Sequence, residues 1–153
     1  MSLFKPKFVT FDCYGTLVNF AMGPTARRLF ADAVPAEGMD QFVVDFAGYR
    51  LDEVLGEWKP YRDVVFNALE RTCRRWHVSF DVAVANQFYE AVPGWAAWPD
   101  VRAPPARVAA AFPLVILSNA MNAPVPSNVR TLGGSVHRVP TAGRPRPRHP
   151  RPR

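Results

Sequence analysis

Asp12 ends a short β-branched and aromatic run, Lys7-Phe8-Val9-Thr10-Phe11-Asp12, and a Gly-containing turn, Tyr14-Gly15-Thr16, follows it. A carboxylate in that place can do covalent chemistry. It is a weak nucleophile in water, but it forms an ester when an electrophile is held in line with it. A second polar pair, Ser118-Asn119, ends the most strand-like run of the chain, Leu114-Val115-Ile116-Leu117. A hydroxyl and an amide there can orient a ligand, or simply cap a following helix. An Asp at a strand end can likewise be a plain turn residue, although Tyr14-Gly15-Thr16 behind it favours a built site. Cys13 reads as a small buried residue, and His77 and His137 lack metal-ligand spacing.

These residues need elements to position them. Both runs are short, apolar and closed by polar groups, as buried parallel strands are. In open parallel sheets ligands bind beyond the carboxyl ends of the strands, so Asp12 and Ser118-Asn119 should face one crevice. Between them the pattern is helical. Residues 24–34 carry Leu29 and Phe30 on an apolar side. Phe42, Phe46, Tyr49, Leu51, Val54, Leu55 and Trp58 recur at helical steps. Pro60 opens a further helix with Tyr61, Val64, Val65, Ala68, Leu69, Cys73 and Trp76 on one face. Residues 81–91 look helical until Pro93-Gly94 breaks the pattern, and Pro104-Pro105 start a short helix that Pro113 ends. The order strand, helical block, helix, strand predicts an α/β fold: a Rossmann-like core with a parallel sheet, incomplete here, and an inserted helical cap. The expected boundaries are 1–18 and 98–137 for the core, 19–97 for the cap, and 138–153 for a tail.

With 153 residues, 48% of them hydrophobic, the chain is about one domain long and can bury a sizeable core. It has no apolar run long enough for a membrane helix, and Met1 to Lys7 do not read as a signal peptide. Two cysteines without a secretory signal suit a reduced, cytoplasmic protein. The net charge of +6 is unevenly spread. Residues 1–100 hold all 13 acidic side chains, whereas 101–153 hold none and carry nine arginines, six of them from Arg138 onward. Pro124, Pro126, Gly133 and Gly134 interrupt the pattern after Ala120, and from Arg138 the Pro/Arg-rich tail should be disordered or polyproline-like. A basic arm for nucleic acid is the rival reading of that tail, but it lacks aromatic residues for base stacking.

Phe11-Asp12-Cys13-Tyr14-Gly15-Thr16-Leu17 resembles the first motif of the haloacid dehalogenase superfamily, Asp-x-x-x-Thr after a hydrophobic strand. Leu117-Ser118-Asn119 resembles its second motif, and Tyr49-Arg50-Leu51 with the helical run after it resembles the cap segment of type II 2-haloacid dehalogenases. The resemblance covers about residues 7–142. It implies displacement of halide from a small-molecule 2-haloalkanoate, with Asp12 as the nucleophile, giving a 2-hydroxy acid through an aspartyl ester. It places Arg50 and Asn119 near the departing halide, Ser118 at the substrate carboxylate, and Thr16 in support of Asp12. An apolar wall should desolvate the attacking carboxylate, with Tyr14 and Trp58 as candidates, or Trp95 or Trp98.

Phosphatases of this superfamily carry a second Asp two positions after the nucleophile, as acid for an alkoxide. That position is Tyr14 here, and a halide needs no proton. The exchange favours carbon–halogen cleavage over phosphoryl transfer, and implies no metal and no cofactor. No nucleic-acid or membrane partner is expected, and a homodimer is compatible with the resemblance. The family also places a Lys in a Lys-Pro context, about where His149-Pro150-Arg151 stands, and further strands with a polar loop beyond it. Pro and Arg codons are GC-rich, so a shifted reading frame is one expected origin of the tail. A superfamily phosphatase and a non-catalytic remnant are the alternatives to a dehalogenase.

Overall fold

The computed structural model describes residues 6–101, 108–117 and 136–138, the last three by their backbone. The chain divides into two compact units, Met1–Val18 with Ala97–Arg153, and Asn19–Ala96.

The first unit is built on a parallel sheet of β1 (Val9–Phe11), β2 (Leu114–Ile116) and β3 (Val136–Arg138), in the order β1-β2-β3. Val9 lies opposite Leu114 and Phe11 opposite Ile116. The ladder extends at both ends, where Val9 N–H donates to the Pro113 carbonyl at 3.0 Å and Leu117 N–H to the Phe11 carbonyl at 2.8 Å. Leu114 and Ile116 are buried, as the apolar run predicts. β3 is a correction to the sequence reading, which places no strand after Ala120. A three-residue strand has too little pattern of its own, and its pairing with β2 defines it. The helix expected from Pro104 falls largely on residues outside those described. Its end is a turn in which Ala111 and Phe112 donate to the Val108 carbonyl.

The second unit is helical: α1 (Met22–Leu29), α2 (Met39–Leu55), α3 (Tyr61–Arg75) and α4 (Val82–Ala91), with a short 3-10 turn before α2 and another after α4. Its core is aromatic. Phe46 and Phe88 meet edge to face at 5.1 Å, Phe30 packs on Phe42 at 4.9 Å, and Leu69, Val65 and Val92 are buried in the same unit. α3 buries Val64, Val65, Ala68, Leu69 and Cys73, the face its spacing predicts. α1 is shorter than the expected 24–34. The chain turns at Phe30, whose carbonyl accepts from Ala33 and Val34 N–H, because Val34 precedes Pro35 and is biased away from helical backbone. α2 departs further from its pattern. Phe42 and Phe46 are buried, but Leu51, Leu55 and Trp58 are exposed.

Polar contacts lock the helices together. Glu53 of α2 accepts from Lys59, from Asn67 at 3.1 Å and from Arg71 at 2.9 Å. Asp45 accepts from Trp76 Nε1 at 2.9 Å and Arg75 Nε at 2.8 Å. Asp81 caps α4 by accepting from Ala83 N–H at 2.7 Å. Among the described residues no helix is long and apolar enough to cross a membrane.

Candidate active site

Asp12 is the first residue beyond β1, and its side chain is exposed. The turn that follows is held by backbone bonds. Leu17 and Val18 N–H both donate to the Cys13 carbonyl at 2.9 Å, and Gly15 N–H donates to the Val18 carbonyl at 2.8 Å. Gly15 sits at φ +89°, which side-chain-bearing residues rarely adopt, so the loop closes as it does because the residue is glycine. This geometry brings Thr16 back over Asp12, and its hydroxyl donates to Asp12 Oδ2 at 3.3 Å. Cys13 and Val18 are fully buried and anchor the loop. Tyr14 is half-buried and forms a bridge with Val18. Trp98, with 38% of its surface exposed, donates its N–H to the Leu17 carbonyl at 3.2 Å. Ser118 and Asn119 lie outside the described residues. Burial, and then the charge of Asp12, push the Cys13 thiol up to about 11.

Arg50 belongs to the helical unit, on α2. Its guanidinium lies over the Phe20 ring, 5.0 Å from the centroid, and that ring meets Trp95 edge-on at 5.3 Å. Trp95 is buried and also meets Phe88 at 6.5 Å. Arg50 Nε is buried without a hydrogen-bond partner among the described residues, and so is the hydroxyl of Tyr61, the first residue of α3. The two groups act on each other without hydrogen-bond geometry. Burial raises the Tyr61 pKa, the Arg50 cation and its side-chain proximity as a donor pull against that, and Tyr89 adds to the rise. Trp58 is 67% exposed, in the segment between α2 and α3. The structure thus brings Asp12 and Thr16 together in one unit, and Arg50 with Phe20, Tyr61 and Trp95 in the other. Sequence reasoning missed Phe20 and Tyr61. Tyr61 right after the helix-opening Pro60 was a visible signal, but it read as part of an apolar face.

No protein-family model and no curated protein matches the chain. Solved structures do. The L-2-haloacid dehalogenase RSc1362 is 25% identical, with a TM-score of 0.69 over 88% of this chain and 63% of that one. The L-2-haloacid dehalogenase from Xanthobacter autotrophicus, solved with chloropropionic acid covalently bound, is 20% identical, with a TM-score of 0.72 over 88% of this chain and 56% of that one. The HAD-hydrolase YfnB from Bacillus subtilis, bound to magnesium, is 15% identical, with a TM-score of 0.71 over 86% of this chain and 63% of that one. The chain has the haloacid dehalogenase fold, and it spans less than two thirds of the length of these structures.

Proposed function

We propose that the chain is the nucleophile-bearing part of a 2-haloacid dehalogenase-like hydrolase. The observation that carries this reading is the Asp12 turn: an exposed carboxylate at a strand end, held by the Thr16 hydroxyl, with Tyr14 where a phosphatase needs its second carboxylate. Residues 101–153 contain no Asp or Glu at all, so only Asp100 joins Asp12 as a carboxylate in the sheet unit. In the reaction, an Asp12 oxygen attacks C2 of a 2-haloalkanoate with inversion. The C–O bond forms as the C–halogen bond breaks, and the halide leaves with the electron pair. Thr16 orients the carboxylate, and the resemblance assigns the substrate carboxylate to Ser118 with backbone N–H groups and the halide to Arg50 and Asn119. Tyr14 and Trp58 supply apolar surface that strips water from the nucleophile. Water then attacks the ester at the Asp12 carboxyl carbon and releases the 2-hydroxy acid.

The test is mass spectrometry of the protein after exposure to 2-chloropropionate. One propionate unit should appear on the peptide containing Asp12, and Asp12→Asn should carry none. Under single turnover in heavy-oxygen water, the label should enter Asp12 first. Label passing straight into the product hydroxyl, or magnesium-dependent hydrolysis of p-nitrophenyl phosphate, would overturn the reading.

A further inference from the structure

The helical unit buries two polar atoms that nothing in it satisfies. Arg50 Nε carries a proton and can only donate, and the Tyr61 hydroxyl can donate or accept. Leaving either buried and unpaired is costly, and the simplest remedy is a direct bond between them. The two side chains lie close enough to act on each other, but neither atom meets the geometry of that bond. Nor is the Arg50 charge neutralised nearby. Arg50 has no ion pair among the described residues, and Glu53, three positions along α2, is taken up by Lys59, Asn67 and Arg71. Two buried donors beside a cation, walled by Phe20 and Trp95, are complementary to a small anion. Burial keeps the Tyr61 hydroxyl protonated at neutral pH, so it is available as a donor.

We propose that Tyr61 is a second hydrogen-bond donor to a halide bound at Arg50, beside Nε–H, and that its hydroxyl biases the site toward small, hard halides. The proposal rests on the dehalogenase reading for the identity of the anion. Fluoride and chloride accept strong hydrogen bonds and gain most from a hydroxyl. Iodide gains more from the guanidinium and the ring faces, which Tyr61→Phe leaves in place.

The experiment measures halide binding to the 153-residue chain by chloride NMR line broadening, with fluoride, bromide and iodide as competitors at constant ionic strength. Arg50→Ala should abolish the broadening. Tyr61→Phe should weaken fluoride and chloride by about tenfold, the scale of one hydrogen bond to a charged group, and iodide by about twofold. In halide-free buffer Tyr61→Phe should be as stable as the parent or more so, since its hydroxyl bonds nothing there. A loss of stability in that buffer would show a hydroxyl bonded within the protein and overturn the proposal. So would equal weakening for all four halides, or a parent chain that broadens chloride no more than Arg50→Ala does. The measurement involves no substrate and no ester, so its failure removes the donor role of Tyr61. Failure of labelling at Asp12 removes the dehalogenase reading instead.

Discussion

In the sheet unit the proposed nucleophile is placed by backbone. Asp12 stands at the end of a paired strand, and the loop beyond it is fixed by three main-chain hydrogen bonds and the positive φ of Gly15. In the helical unit the proposed halide ligand, Arg50, is placed by packing. Arg50 rests on Phe20, which meets Trp95, which meets Phe88, which meets Phe46. A backbone-held site tolerates changes in its exposed side chains, whereas a packing-held one depends on rings several contacts away. Chemistry at Asp12 and stability should therefore come apart in the first unit and move together in the second.

Phe88→Ala should have the largest effect on stability. It removes a fully buried ring at the centre of the aromatic chain, and should cost about 3–5 kcal/mol by urea denaturation. Halide binding at Arg50 should fall with it, and a variant that bound halide normally would break the comparison. Gly38→Ala comes next. A Cβ there would stand 2.7 Å from Trp76 Cζ3, so the indole must move, at a cost of about 1–3 kcal/mol. Its near-ultraviolet circular dichroism should change as well.

Glu53 gives a pH-dependent test. Hydrogen bonds from Lys59, Asn67 and Arg71 hold its carboxyl down to about 2, from an ordinary value of 4.5. Its contribution is complete above about 4.5 and disappears as pH falls toward about 2. Thermal melts across that window should show a steep acid limb that Glu53→Gln makes shallower. Asp81→Ala should lose the cap of α4, at about 1 kcal/mol in the same melts. The smallest effect on stability belongs to Thr16→Val, under about 0.5 kcal/mol, because the hydroxyl is exposed. It should still slow alkylation of Asp12 measurably. A large stability loss at Thr16 would mean that the loop needs its side-chain bond as well as its backbone.

The same contrast explains what could be read from the sequence. β1, β2 and the turn between Asp12 and Thr16 are local: apolar run, polar end, glycine. Each signal lies within a few residues of what it specifies. The buried faces of α2 and α3 were legible where the spacing held, at Phe42, Phe46, Val64 and Leu69. It misled at Leu51 and Leu55, because periodicity records which residues share a face and cannot say what covers it. β3 was illegible, since it depends on a partner more than 20 positions earlier. The neighbours of Arg50 were illegible for the same reason, as Phe20, Tyr61 and Trp95 come from three separate segments. The role proposed for Tyr61 rests on the burial of one oxygen atom, which no spacing encodes.

The two buried thiols bear on how the protein meets its proposed substrate. A 2-haloacid is an alkylating agent, and thiolates are the groups in proteins that such agents ordinarily find first. Cys13 and Cys73 are both buried, and both are pushed up to about 11. At neutral pH both thiols stay protonated, and the thiolate is the form that reacts. Cys13 lies immediately next to the carboxylate proposed as the nucleophile, and the charge of that carboxylate itself helps to keep the thiol protonated. The loop thus protects itself from the reagent it would use, and alkyl groups should accumulate on oxygen at Asp12 and not on sulfur one residue away.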